Sequence, residues 1–159
     1  MGLIAEMRVK VYVANTQKEI PVGARWVTRL VRLAAADAWQ DGELSVAVVG
    51  AERMSEMNRR YTGRAGDADV LAFPLDDESD GCVGEVVVSA SRAVREAAAR
   101  GIPAKDELAL YIVHGVLHLT GYDDGDAASR RKMYARERAA LSAAGLGDIR
   151  RSPRAKRSE

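Results

Sequence analysis

Cysteine is almost absent. Cys82 is the only one among 159 residues, which excludes a disulfide framework and a paired-cysteine metal site and predicts a reducing, cytoplasmic setting. Cys82 itself is expected to be a small buried strand residue. Histidine is nearly as scarce, with two in the chain. Neither sign of charge prevails: 24 Lys+Arg against 23 Asp+Glu leave a net charge of +1. The global balance therefore points neither toward nor away from a polyanion, and any electrostatic footprint has to be local. No apolar run approaches the ~20 residues of a membrane span, and Met1 to Lys10 lack the basic-then-apolar pattern of a secretory signal. A soluble intracellular protein with no membrane partner is expected.

What remains is ordinary globular composition, 47% hydrophobic and 30% charged, in a length that suits one domain with a real core. Residues 1–148 are expected to form that domain. Residues 149–159, basic and without an apolar anchor, are expected to be a disordered tail. Alternation predicts a strand over Met7–Val13. A helix over Val22–Trp39 follows, opened by Pro21, with Trp26, Leu30, Leu33 and Ala34 as its apolar stripe. Leu44–Val49 reads as a strand, Ala51–Tyr61 as a helix with Met54 and Met57 inward, and Val70–Pro74 as an edge strand ended by proline. Leu75–Gly81 is an acidic loop, and Cys82–Ser89 is a fourth strand. Ser89 caps a helix over Ala90–Arg100 that Gly101 stops. A helix over about Ala104–Thr120 packs Leu108, Ile112, Val116 and Leu119 inward and sets Glu107, Tyr111, His114 and His118 on another face. Asp126 caps a last helix, Ala127–Ala144, with Met133, Tyr134 and Leu141 buried. The order β-α-β-α-β-β-α-α-α predicts an α/β fold: a small mixed four-stranded sheet packed with about five helices.

Both histidines fall in one stretch, His114-Gly115-Val116-Leu117-His118-Leu119-Thr120-Gly121-Tyr122-Asp123-Asp124. Positions i and i+4 share a helix face, so the two imidazoles can point at one spot. Gly121 stops the helix and the chain returns with Asp123 and Asp124. Two imidazoles plus a carboxylate from a loop make a three-ligand set with positions open to water or substrate, as a catalytic metal requires. The residues thus predict a metal-dependent hydrolase with its site on a central helix. A zinc peptidase of the HExxH type places its glutamate base directly after the first histidine. Here that residue is Gly115, which cannot accept a proton.

The motif His114-Gly115-x-Leu117-His118-Leu119-x-Gly121-Tyr122-Asp123 closely resembles the signature of the YbeY family of bacterial endoribonucleases and rRNA maturation factors. Met57-Asn58-x-x-Tyr61 with Asp69-Val70-Leu71-Ala72-Phe73-Pro74, and Gly84-Glu85-Val86-Val87-Val88-Ser89, resemble two further family segments, so the likeness spans roughly residues 44–145. The resemblance implies one zinc ion per chain, single-stranded RNA as substrate, and action on ribosomal RNA of the small subunit (16S 3′-end maturation and ribosome quality control). The family builds its site from three histidines, the third of which falls on Asp124 here. The implied ligand set is His114, His118 and Asp124, with Asp123 the neighbouring candidate. Asp is a competent zinc ligand at ~2.0–2.2 Å, and a two-His, one-carboxylate set also suits Fe(II). The family's arginine after the tyrosine is replaced by Thr62, which leaves Arg59 and Arg64 as candidate phosphate contacts. With eight aromatic residues in the chain, RNA recognition should rest on backbone and shape rather than stacking. The alternatives are a non-catalytic ribosome-assembly factor with a structural metal and, further off, a metallopeptidase.

Overall fold

A computed structural model describes residues 8–36, 38, 41–74, 82–147 and 149. The acidic loop 75–81, the side chain of Cys82 and the basic tail from Arg150 lie outside these residues; the first helix, expected to reach Trp39, ends at Ala35, where Ala36 leaves helical geometry with φ 50°. The elements run β1 (Arg8–Asn15), α1 (Ala24–Ala35), β2 (Asp41–Val49), α2 (Ala51–Thr62), β3 (Val70–Pro74), β4 (Cys82–Ser89), α3 (Ala90–Arg100), α4 (Ala104–Leu119) and α5 (Ala127–Ala143). The four strands form one mixed sheet in the order β1-β2-β4-β3. β1 pairs with β2 and β2 with β4 in parallel, while β3 runs antiparallel to β4. That is the mixed sheet expected from the element order, with Pro74 at the edge where a missing N–H leaves no ladder bond unmade.

The helices sort by what they bury. α4 packs against α1, α3, α5 and the β3–β4 edge of the sheet. Every residue from Glu107 to Leu117 is buried, so the expected split into an inward and a chemical face does not hold. A helix apolar all round belongs in the middle of a molecule, and each Leu, Ile or Val enclosed there contributes about 1.5–3 kcal/mol. α1 buries Val27, Leu30, Val31, Ala34 and Ala35, while Trp26 and Leu33 are only half-buried. Its stripe is therefore rotated from the one expected, because the sheet and α4 enclose it from two directions. Pro21 stands before Gly23, the residue that opens α1, rather than in its first turn. On the other side of the sheet, Met54 and Met57 of α2 pack with Val49, Leu71 and Val87 in a smaller core.

Two turns set the register of the site. At the end of α4 the Tyr122 N–H donates to the Leu117 carbonyl at 3.0 Å and the Gly121 N–H to that of His118 at 3.2 Å. This double bond pattern needs a left-handed residue, and Gly121 supplies it with φ 106°. Five residues after Gly121, the Asp126 carboxylate accepts from the Ser129 N–H at 2.8 Å and starts α5. The intervening loop carries Asp123 and Asp124 back over α4.

Candidate metal centre

His114 and His118 sit one turn apart near the C-terminus of α4, their Nε2 atoms 3.1 Å apart. Asp124 arrives from the loop with Oδ2 at 3.9 Å from His114 Nε2 and 3.8 Å from His118 Nε2. Donors at ~2.0–2.1 Å from a tetrahedral centre lie roughly 3.3 Å from one another, so this triangle has the size of a coordination face. The donor chemistry agrees with the geometry: two imidazoles and a carboxylate are borderline ligands suited to a divalent ion. Exposure rises across the set, with side-chain values of 3% for His114, 35% for His118 and 44% for Asp124. The site is thus anchored in the core and open at its outer edge.

Burial and the neighbouring His114 imidazole push the His118 pKa below its usual 6.5, with Asp124, Asp123 and Glu137 pulling weakly the other way. A neutral imidazole is the form that can donate a lone pair to a metal.

A fourth residue completes the arrangement and was not anticipated from the sequence. Glu137 of α5 is 4% exposed, and its Oε2 lies 2.5 Å from His114 Nδ1. A carboxylate at Nδ1 holds the proton there, fixes the ring and directs the Nε2 lone pair at the site. The helical period offered a signal for it: Glu137 falls on the stripe of Met133, Ala140 and Leu141, the buried side of α5. Tyr134, expected inside, is 39% exposed because it lies off that stripe.

The neighbouring candidate Asp123 is engaged elsewhere, its Oδ1 accepting from the Gly125 N–H at 3.1 Å. Among the described residues the cluster of possible ligands is His114, His118 and Asp124. Gly115 presses against the sheet: a Cβ there would meet Val86 Cγ1 at 2.7 Å and Val70 Cγ2 at 3.0 Å. Close helix–sheet approach, not catalysis, accounts for the glycine, and no side chain of a base fits at that position.

The site lies in an open groove of about 1240 Å³ between α4 and β3, larger than an ordinary small-molecule pocket. Arg64 lines it, as does Arg92 of α3. Arg59 does not, and borders a separate shallow depression with Glu52 and Glu56 on α2. Thr62 is occupied internally: its hydroxyl donates to the Asn58 carbonyl at 2.6 Å, and the Asn58 amide donates to the Gly66 carbonyl at 3.1 Å. This knot fixes the loop that carries Arg64.

Among known proteins, the family model described as Endoribonuclease YbeY matches residues 12–145. A protein of that name from Moorella thermoacetica is 35% identical over 148 residues, covering 83% of this chain and 95% of its own. Another from Halorhodospira halophila is 42% identical over 113 residues, covering 67% and 73%. The solution structure of a Thermotoga maritima protein shares the fold with a TM-score of 0.60 at 20% identity, covering 94% of this chain and 99% of that one.

Proposed function

The chain belongs to the YbeY family of endoribonucleases, and on that footing we propose that it is a metal-dependent, single-strand-specific endoribonuclease. Its proposed role is processing of ribosomal RNA, including maturation of the 16S 3′ end, and ribosome quality control at the small subunit. The observation that carries the reading is the convergence of His114 Nε2, His118 Nε2 and Asp124 Oδ2 within 4.8 Å at an open groove. Three protein donors leave a coordination position for water or substrate, whereas structural zinc sites are closed by four ligands. The Asp123 bond to Gly125 weighs against a four-ligand structural site and so against the purely scaffolding alternative. A peptidase is disfavoured by Gly115. No helix among the described residues is long and apolar enough to cross a membrane.

Each side chain has a definite task in the proposed reaction. His114, held by Glu137, and His118 present imidazole nitrogen donors, and Asp124 adds a carboxylate oxygen. These three side chains would hold a divalent ion, zinc in the first place, which would supply a lowered pKa for bound water and charge stabilisation at a phosphodiester. Arg64, on the groove wall, neutralises the phosphate of the RNA backbone. Arg59, outside the groove, is the weaker candidate for that contact. The test is cleavage of a short single-stranded RNA by the purified protein with and without chelator, beside His118→Ala. Cleavage that the chelator abolishes, zinc restores and the variant lacks is expected. Zinc-loaded wild type that binds small subunits but cuts no RNA would overturn the reading in favour of a non-catalytic assembly factor.

A further inference from the structure

The net charge of +1 conceals a strong segregation. α1 carries Arg25, Arg29 and Arg32, and α5 carries five more cations between residues 130 and 138. Against these eight stands one acid, Glu137, which is buried on His114. The rest of the chain is left with 16 Lys+Arg and 22 Asp+Glu, from totals of 24 and 23. The two helices lie side by side, since Arg29 donates to the Ala143 carbonyl at 3.3 Å and Arg136 to that of Leu33 at 2.8 Å. They therefore present their cations as one surface.

Part of that surface is uncompensated. Elsewhere, Arg53 of α2 pairs with Glu56 at 2.7 Å, and on α3 Arg92 pairs with Glu96 at 3.7 Å while Arg95 and Arg100 reach Asp67 and Glu107. On α1, Arg25, Arg29 and Arg32 repeat at the three- and four-residue spacing where like charges oppose helix formation. Among the described residues, Arg25, Arg29, Arg131 and Lys132 have no carboxylate within 4.0 Å. The surface also joins the metal centre: Arg130, at its near end, donates to the backbone carbonyl of Asp124 at 3.3 Å.

We propose that the α1–α5 face is a second RNA surface, which seats the phosphate backbone of a helical segment flanking the single strand in the groove. This rests on the groove being the single-strand site. The array stands on two helices, and its five cations on α5 span about 12 Å of the helix axis at 1.5 Å per residue. Among the described residues Tyr134 is the one large hydrophobic side chain exposed on it, and these residues form neither the row of aromatics that unpaired bases stack on nor the apolar centre of a protein interface. Helical RNA is read through phosphates, 2′-hydroxyls and shape, which a row of cations matches.

The experiment compares wild type with the triple variant Arg25→Gln, Arg131→Gln, Lys132→Gln, metal-loaded, on two RNAs. One is a short single strand; the other is the same strand as a tail on a hairpin. Wild type should bind the tailed hairpin more tightly. The variant should lose that advantage and about 2 to 3 units of the slope of log affinity against log salt, near 0.9 per phosphate contact, while cutting the short strand at the wild-type rate. Unchanged hairpin binding, or equal loss on both RNAs, overturns the proposal, as does competition by polyglutamate as effective as that by a hairpin. Failure of wild type to cut the short strand would instead sink the groove assignment, because hairpin affinity is read independently of cleavage.

Discussion

Substituting Glu137 separates the two things its buried carboxylate does for His114. Glu137→Gln keeps the volume and an oxygen acceptor for the Nδ1–H but removes the charge. Glu137→Leu removes the acceptor as well. Both partners are under 5% exposed and 2.5 Å apart, so no water can stand in for the lost group. Changes to the partner that orients a metal-bound histidine typically cost 10–100-fold in metal affinity, or about 1.4–2.7 kcal/mol, which is the loss expected of Gln. Leu should lose more metal affinity than Gln. It also strands a buried N–H, at about 1–3 kcal/mol in the metal-free fold. Zinc affinity is read by competition with a chromophoric chelator, and the fold by thermal melting in EDTA. For a chain of this length a melting point falls roughly 2–4 °C per kcal/mol. Wild-type zinc affinity in both variants, with no change in the EDTA melt of Leu, would refute the assignment of Glu137 as the residue that orients His114.

Three further outcomes follow from single contacts. Gly115→Ala should destabilise by about 1–2 kcal/mol, since overpacking against Val86 and Val70 costs roughly 1–3 kcal/mol and outweighs the up to ~1 kcal/mol that Ala gains in a helix; a more stable variant in urea denaturation would contradict it. Ser89→Ala removes the hydroxyl that accepts from the Arg92 N–H at 3.0 Å and should cost about 1 kcal/mol, measured the same way, with no loss meaning that the cap does not hold α3. In the metal-free protein His118 should titrate below 6.5, because burial and His114 disfavour its charged form. The unfolded chain takes that proton first, so the contribution of neutral His118 is complete above pH 6.5 and is lost as the pH falls beneath it. An NMR midpoint at or above 6.5 would contradict this.

The parts legible in the sequence were those set by local periodicity. Two histidines four apart have to share a helix face, and Gly121 and Asp126 are stop and start signals, so the ligand loop could be placed from the chain alone. Alternation marked the first strand, Pro74 an edge, and the order of elements the mixed sheet. What the sequence hid was contact between distant segments. Glu137 is 23 residues from His114, and only the fold of α5 over α4 brings them together. Arg59 and Arg64 are close in sequence, yet α2 ends between them at Gly63 with φ 76°, leaving Arg64 on the groove and Arg59 away from it. The burial of α4 on every side likewise depends on three helices and a sheet edge meeting there, which no single stretch encodes.

The account stands most directly on the ligand set, and one measurement tests it: the metal content of wild type and Asp124→Ala by elemental analysis at matched protein concentration. A three-ligand site predicts about one divalent ion per chain in wild type and a marked loss in the variant. Full retention by Asp124→Ala, or no metal in wild type after zinc is supplied, would contradict it.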